Sequence, residues 1–395
     1  MLRQISIFGL LMVFVFVTQP AQAGIYTTFD TDHEIKAYSR DFRNFFKRIH
    51  DELKTVAVDP SEGQPPIRKR YLMMEMLGRS GTGNLKTLED KLNYSAVLIR
   101  RGKAYEATQQ LMPLTREHPE NFIVWSQFAM ANFLSNNADF RKKSPELMTQ
   151  TLKLWPTNYA LVKEELKPFV ISLGLVETEF DRFRAAEVHL ERLIRNRVRE
   201  ARLEAQGKPA EETVDPIFVE IIDGERKPIR YVNNKGLFEP GKIADEEKKK
   251  LPSQSVEIVE QLLIWMPGDQ RLLWQLAEVF NAIAMDTQKE DQKNRAIRDA
   301  YAIFNEIDPP LNRTRFALKE IQSRKEKLGE FVRNLPPEQL LAAVQLGNIL
   351  KDEDPSAAAR REWWRTLTVG GVTGFAVGLF ALWQLQEFRR RRQGR

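Results

Sequence analysis

LIRRGKAYEATQQLMPLTREHPEN, Leu98 to Asn121, reads as the end of one helix, a turn and a second helix. Its apolar residues fall at helical spacing on both sides of Gly102. Gly102 can take the turn between two helices without a Cβ clash. Ala107 is small enough to let the two helices approach, and Leu111 packs one turn later. Pro119 stops the second helix, and Asn121 is a good N-cap for the next.

The pattern recurs. Pro119-Glu120-Asn121 precedes FIVWSQFAMANFL, Pro156-Thr157-Asn158 precedes YALVKEELKPFVISL, and Pro267-Gly268-Asp269 precedes QRLLWQLAEVFNAI. Each reads as a helix end, a proline, one residue, Asn or Asp, and a new amphipathic helix. The stretches ENFIVWSQFAMANF and DQRLLWQLAEVFNA are close to one another in pattern.

This arrangement resembles the tetratricopeptide repeat (TPR), a helix–turn–helix unit of about 34 residues with a W-x2-L-G-x2-Y…A-x3-F…P pattern. The best match runs from about Leu88 to Asn121. Tyr94, Ser95 and Leu98 take the first-helix packing positions, Gly102 the turn, and Ala107, Leu111 and Pro119 the second-helix positions. The next unit begins at Phe122, with Trp125, Phe128, Ala129 and Asn132 in the first-helix positions. Asn132 departs from the aromatic expected there, and extra residues precede Pro156. A third, looser match covers Ser253 to about Asp308, with Leu276, Ala277 and Phe280 in place. The resemblance implies an all-α, TPR-like α-solenoid that binds proteins or extended peptides along a concave groove lined by first helices. Ile99, Arg100, Ser126, Met130 and Phe133 lie off the packing stripe and are the candidate groove positions. The alternatives are that Met130 and Phe133 pack on a neighbouring helix, and that the whole is a generic helical bundle.

Around the repeats the pattern changes. Residues 24–86 form an N-terminal helical region, with Phe42, Phe45, Phe46, Ile49 and Leu53 on one stripe. GRSGTGN, Gly78 to Asn84, lacks the Gly-Lys-Ser/Thr of a phosphate-binding loop and reads as a helix connection. The repeats fill 87–206 and end in a helix over Asp181–Gln206, whose arginine-rich side reads as a solvated face. An insertion over 207–252 carries two β-rich runs about Asp223-Gly224, a hairpin signal over Val214–Asn233, and then the charged helical connector IADEEKKKLP. A second helical region follows over 253–350, with a linker over 351–362.

The two ends point to a membrane. MLRQISIFGLLMVFVFVTQPAQA, residues 1–23, combines Arg3, an apolar run from Ile5 to Val17, and Ala21-Gln22-Ala23, the marks of a secretory signal cleaved before Gly24. An uncleaved anchor is the alternative, although the run is short of the roughly 20 residues a span requires. Residues 363–388 hold the uncharged run Thr366–Leu385, flanked by Trp363, Trp364 and Trp383, and read as one C-terminal transmembrane helix. The tail 389–395 opens with four arginines, which mark the cytoplasmic side. The bulk is therefore expected outside the cytoplasm. Gly370, Gly374 and Gly378 share one stripe of the span and suit helix pairing, hence a homodimer.

Lysine plus arginine number 60 and the acids 54. The tail arginines account for most of that excess, so the exported part is near neutral and offers no global field for nucleic acid. There is no cysteine, which excludes disulfides, thiolate nucleophiles and cysteine metal sites, and fits a bacterial envelope. The four histidines, His33, His50, His118 and His189, form no HxxxH-type pair. HExxH, GxSxG, SxxK and GxGxxG do not occur, so no enzyme, cofactor or metal is expected. Asn93-Tyr94-Ser95 and Asn312-Arg313-Thr314 are formal glycosylation triplets. The expected role is a membrane-anchored scaffold for a protein or peptide partner. A structural envelope component and an enzyme of another type remain open.

Overall fold

Asn121 starts its helix as its chemistry requires: the side-chain oxygen accepts from the Ile123 and Val124 amides at 3.0 and 3.3 Å, replacing partners that the first turn lacks. Asp269 does the same for Arg271 and Leu272. The two turns are nearly identical. His118 and Met266 sit at φ/ψ −130/62° and −132/63°, and Asn121 and Asp269 at −84/103° and −83/102°. At Gly102 the chain takes φ 74°, a conformation costly for any residue with a Cβ.

The computed structural model describes residues 25–27, 45, 49, 66–79, 85–173, 175–207, 215–222, 225–286, 289–307 and 315–336. The chain divides into two units, Met1–Asn334 and Leu335–Arg395. The signal, linker, span and tail inferred from the sequence, residues 80–84 of the glycine-containing connection, and Asp223-Gly224 lie outside the described residues. Among the described residues no helix is long and apolar enough to cross a membrane.

The first unit is mostly helical. Its helices are α1 Pro66–Arg79, α2 Leu88–Arg100, α3 Ala104–Glu117, α4 Phe122–Leu134, α5 Ala138–Leu154, α6 Lys167–Ser172, α7 Glu177–Ala205, α8 Asp245–Lys248, α9 Ser255–Trp265, α10 Gln270–Ile283, α11 Glu290–Glu306 and α12 Arg315–Arg333. Thr87 opens α2 with a full capping box: it accepts from the Asp90 amide while Asp90 accepts from its own. From α2 to α5, and from α9 to α12, each helix packs on the next, and α2 also meets α4. Between the two groups α7 packs on both α5 and α9. Its inner stripe, Phe180, Phe183, Ala186, Leu190, Leu193 and Ile194, is buried, with the spacing of one helix face.

Two elements differ from the sequence reading. Asn158 caps only the three-residue 3-10 turn Tyr159–Leu161, followed by the short α6, in place of one continuous helix. Pro168 is the reason: with no amide hydrogen it is tolerated in the first turn of a helix, not the middle. The charged connector shrinks to the single turn α8.

The only sheet among the described residues is antiparallel, β1 Val219–Ile222 with β2 Glu225–Pro228, registered from Val219↔Pro228 to Ile222↔Glu225. The pairing places Asp223-Gly224 in the connection, as the hairpin signal requires. The segment just before β1 is tied to the helices by charge. Arg197 of α7 donates to Asp215 at 2.6 Å and to both oxygens of Asp269. Arg271 of α10 pairs with Asp215 at 2.7 Å and Glu200 at 2.6 Å. Asp215 has no exposed side-chain surface. The arginine-rich side of α7 is therefore only partly solvated, because its face at Arg197 turns inward to carboxylates.

Candidate segment-binding site

Helix α4 is buried at every position except Trp125. An apolar stripe alone cannot account for that, and part of the cover comes from far away in the sequence. Ile25, Tyr26 and Thr27 lie inside the protein at 1%, 2% and 1% exposure. The amide nitrogen of Gln127 donates to the Tyr26 carbonyl at 2.6 Å. The Tyr26 ring sits among Phe183 of α7, Trp155 after α5 and Trp265 of α9, with centroids 5.6–5.8 Å away. Its hydroxyl donates to Glu187 Oε1 at 2.5 Å, and so does Ser126 Oγ at 2.5 Å. The site is thus an aromatic box with one backbone-reading amide and one carboxyl at its floor.

Burial sets the electrostatics. It pushes the Glu187 carboxyl up to about 7, against the two hydroxyl donors that lower it. The Tyr26 hydroxyl is pushed up by burial first and by Glu187 second. Glu187 Oε2 and Gln127 Oε1 are buried with no hydrogen-bond partner. On the same side, Glu260 of α9 is buried with neither oxygen bonded, and burial raises its pKa. Arg182 spans to Gln261 at 2.9 Å and to Glu179 at 2.9 Å.

The second helical group carries a counterpart. Gln275 stands in α10 where Gln127 stands in α4, counted from the capping Asp269 and Asn121. Its amide nitrogen donates to the Tyr231 hydroxyl, and its oxygen too is buried and unpartnered. Here the inserted segment fills the face. The Gly241 amide donates to Asn281 at 2.8 Å. Arg324 of α12 lies 4.7 Å over the Phe238 ring and pairs with Glu278, and Lys327 donates to the Phe238 carbonyl.

The groove residues inferred from the repeat pattern do not line an open surface. Ile99, Arg100, Ser126 and Met130 are fully buried and Phe133 is 7% exposed. Arg100 donates to the Tyr71 hydroxyl of α1, and α1 thereby covers that part of α2. Of the five, Ser126 belongs to the Tyr26 site. Of the packing positions, Tyr94, Leu98, Ala107, Leu111, Phe128, Ala129, Leu276, Ala277 and Phe280 are buried. Pro119 is exposed and Trp125 half-buried; its ring nitrogen donates to the Pro119 carbonyl at 2.8 Å, which holds it at the rim. Among the described residues the buried tryptophans are Trp155, Trp265 and Trp274. Gly370, Gly374 and Gly378 lie outside the described residues.

An open groove of about 670 Å³ lies between the start of α2, the α3–α4 turn and α6, with Leu88, His118, Lys163, Leu166, Pro168 and Phe169 among its walls. Among the described residues no group of three or more His, Asp or Glu is placed to hold a metal ion. Comparison with protein families, with curated proteins and with solved structures finds no match to this chain.

Proposed function

We propose that this protein is a membrane-anchored scaffold that displays a TPR-like solenoid outside the cytoplasm and binds a protein or an extended peptide. The observation that carries the reading is the seat of Ile25–Thr27. A helical face receives a stretch without regular secondary structure by bonding its backbone carbonyl through Gln127 and boxing its aromatic side chain. That is how a groove reads an extended peptide: main-chain bonds give affinity and side-chain pockets give specificity. The near-identical turns at Asn121 and Asp269, and the packing of α2 on both α3 and α4, support stacked helix pairs of one repeat type. On sequence grounds the signal over 1–23 and the span over 363–388 place this array outside the cytoplasm, and the glycine stripe pairs two copies. The open groove beside α6 is the surface left for a partner.

A photo-crosslinking residue at Phe169, in the full chain in its membrane, tests the scaffold. One discrete partner, crosslinked through a single extended segment, is the expected result, with none from the same residue placed at exposed Leu237. Equal or no crosslinking from both positions rejects it. A second reading, a structural component of the envelope, is favoured by one observation: the two equivalent faces at Gln127 and Gln275 are both filled by the chain itself.

A further inference from the structure

The β1–β2 hairpin has two outer edges, and they are unlike. The Ile229 amide donates to the Phe218 carbonyl at 3.1 Å, a bonded pair just outside the two strands. Bonded and non-bonded pairs alternate along an antiparallel ladder. In the observed register, Val219↔Pro228 and Ile221↔Arg226 are therefore non-bonded pairs, and their backbone groups point away from the partner strand. On β2 that edge is blunted. Pro228 has no amide hydrogen, and its carbonyl accepts from Lys250 Nζ at 3.3 Å. Proline and lysine are what sheets place on an edge to refuse a further strand. The β1 edge carries neither. Among the described residues no group bonds the outward amides and carbonyls of Val219 and Ile221. The start of the strand sets the faces. Phe218 is 1% exposed, its ring 5.0 Å from that of His189 on α7. Glu220 shares that face, and Val219 and Ile221 take the other, where Ile221 is 65% exposed.

We propose that the outer edge of β1 accepts an extended segment of a partner protein as a third, antiparallel strand, with β-branched residues beside Val219 and Ile221 and a lysine or arginine beside Glu220. The inference rests on the scaffold reading and adds to it a surface that shares no residue with the groove beside α6. A hairpin of two strands is marginal on its own, and a third strand strengthens it. The free amides and carbonyls of Val219 and Ile221 supply main-chain bonds to any extended stretch, and the alternating side chains select among them. Exposed Ile221 and its face neighbour Val219 select apolar, β-branched partners. Glu220 selects the charge, and it also disfavours a second copy as the occupant. The antiparallel register that uses every free group of two β1 strands sets Val219 against Ile221 and Glu220 against Glu220. Like charges directly opposite are destabilising, whereas a cation there is matched.

The test uses the full chain in detergent and two fluorescent peptides, STVKVTS and STVEVTS, which differ only in the charge that falls beside Glu220. Wild type should bind the lysine peptide about fivefold or more tighter than the glutamate peptide. Glu220→Lys should invert that preference. The lysine peptide with both valine amides methylated should lose binding, because its main-chain donors are gone. Ile221→Pro should abolish binding of the lysine peptide with the melting temperature unchanged, since the amide it removes bonds nothing in the hairpin and proline is tolerated on an edge. Should Ile221→Pro unfold, the inversion by Glu220→Lys and the methylated peptide decide. No binding of the lysine peptide to wild type, equal binding of the two peptides, or a preference that Glu220→Lys leaves unchanged overturns the proposal. Wild-type dimers that Ile221→Pro dissociates would also overturn it, by making the occupant a second copy. The Phe169 crosslink reads a different surface, so the scaffold reading and this one can fail separately.

Discussion

Gln127 and Gln275 stand at equivalent places in α4 and α10, and each donates to a tyrosine from a distant part of the chain. The separations in sequence are 101 and 44 residues, so neither bond is a local accident of its helix. Each tyrosine is buried, and burial raises the pKa of its hydroxyl. The chain uses one device twice: a buried helical amide that bonds a tyrosine brought in from a distant segment. One copy lies over an inserted hairpin region, the other over the residues that follow the expected signal.

The tryptophans should separate into two classes. Trp155 is 2% exposed and lies 4.4 Å from the Phe122 ring. Trp155→Ala should cost about 3–5 kcal/mol, the usual range for a buried aromatic. Trp125, half-buried at the rim, should cost clearly less. Thermal melts of the two purified variants check this, and equal losses would place Trp125 in the core.

Gly78 of α1 faces the Tyr94 ring of α2 so closely that a Cβ would lie 2.1 Å from a ring carbon. Gly78→Ala should therefore destabilise by roughly 1–3 kcal/mol through overpacking, although alanine favours helix in isolation. Adding Tyr94→Ala removes the obstacle, so the double variant should be more stable than the sum of the two singles predicts. Strict additivity in denaturant melts would show that α1 does not close on this ring.

Arg197 lies between Asp215 and Asp269, whose side chains are 0% and 6% exposed. Arg197→Ala should cost about 3–5 kcal/mol, because two buried carboxylates lose a shared cation. Although burial alone would raise it, the Asp269 carboxyl is held below its usual value by Arg197 and its bonds. A lowered carboxyl stabilises above its unfolded pKa, and that stability is lost as pH falls through the folded value. The acid limb of the stability curve, below about pH 4, should thus flatten in the variant. An unchanged acid limb would remove Asp269 from this role.

The helix starts and the hairpin were legible because their signals are local. Pro119 and Pro267 stop helices, Asn121 and Asp269 start them, and Asp223-Gly224 separates two β-rich runs. The Tyr26 site was not legible, for a physical reason. Ile25–Thr27 has no periodicity to read, and its partners arrive from α4, α7 and α9. Ser126 and Met130 looked like groove residues because they lie off the packing stripe, but α4 is buried at every position except Trp125, so lying off the stripe did not mean lying open. One clue was available: two aligned, strongly apolar helices share a glutamine at the same place. A polar residue retained there implies a buried partner, though not which one. The inward turn of Arg197 was hidden similarly, since its carboxylates come from Asp215 and Asp269, outside its helix.

Glu187 and His189, both on α7, should oppose one another in pH. Glu187 is raised to about 7 by burial. The folded chain therefore holds a proton there that the unfolded chain releases near pH 4.5, and the stability it contributes falls as pH rises from about 4.5 to 7. His189 is lowered to about 4, first by burial and then by Arg192, against its bond to the Ile217 carbonyl. The unfolded chain holds the extra proton there, so the stability from His189 rises with pH between about 4 and 6.5. Across the shared window the two contributions cancel, and the wild-type melting temperature should change little on their account. Glu187→Gln should leave stability rising with pH relative to wild type, and His189→Gln should leave it falling, each by up to about 1.4 kcal/mol per pH unit. Denaturant melts of the three proteins at intervals from pH 5 to 7.5 measure the slopes. Parallel curves for all three would mean that neither side chain is buried as described, and Glu187 would then be no floor for Tyr26.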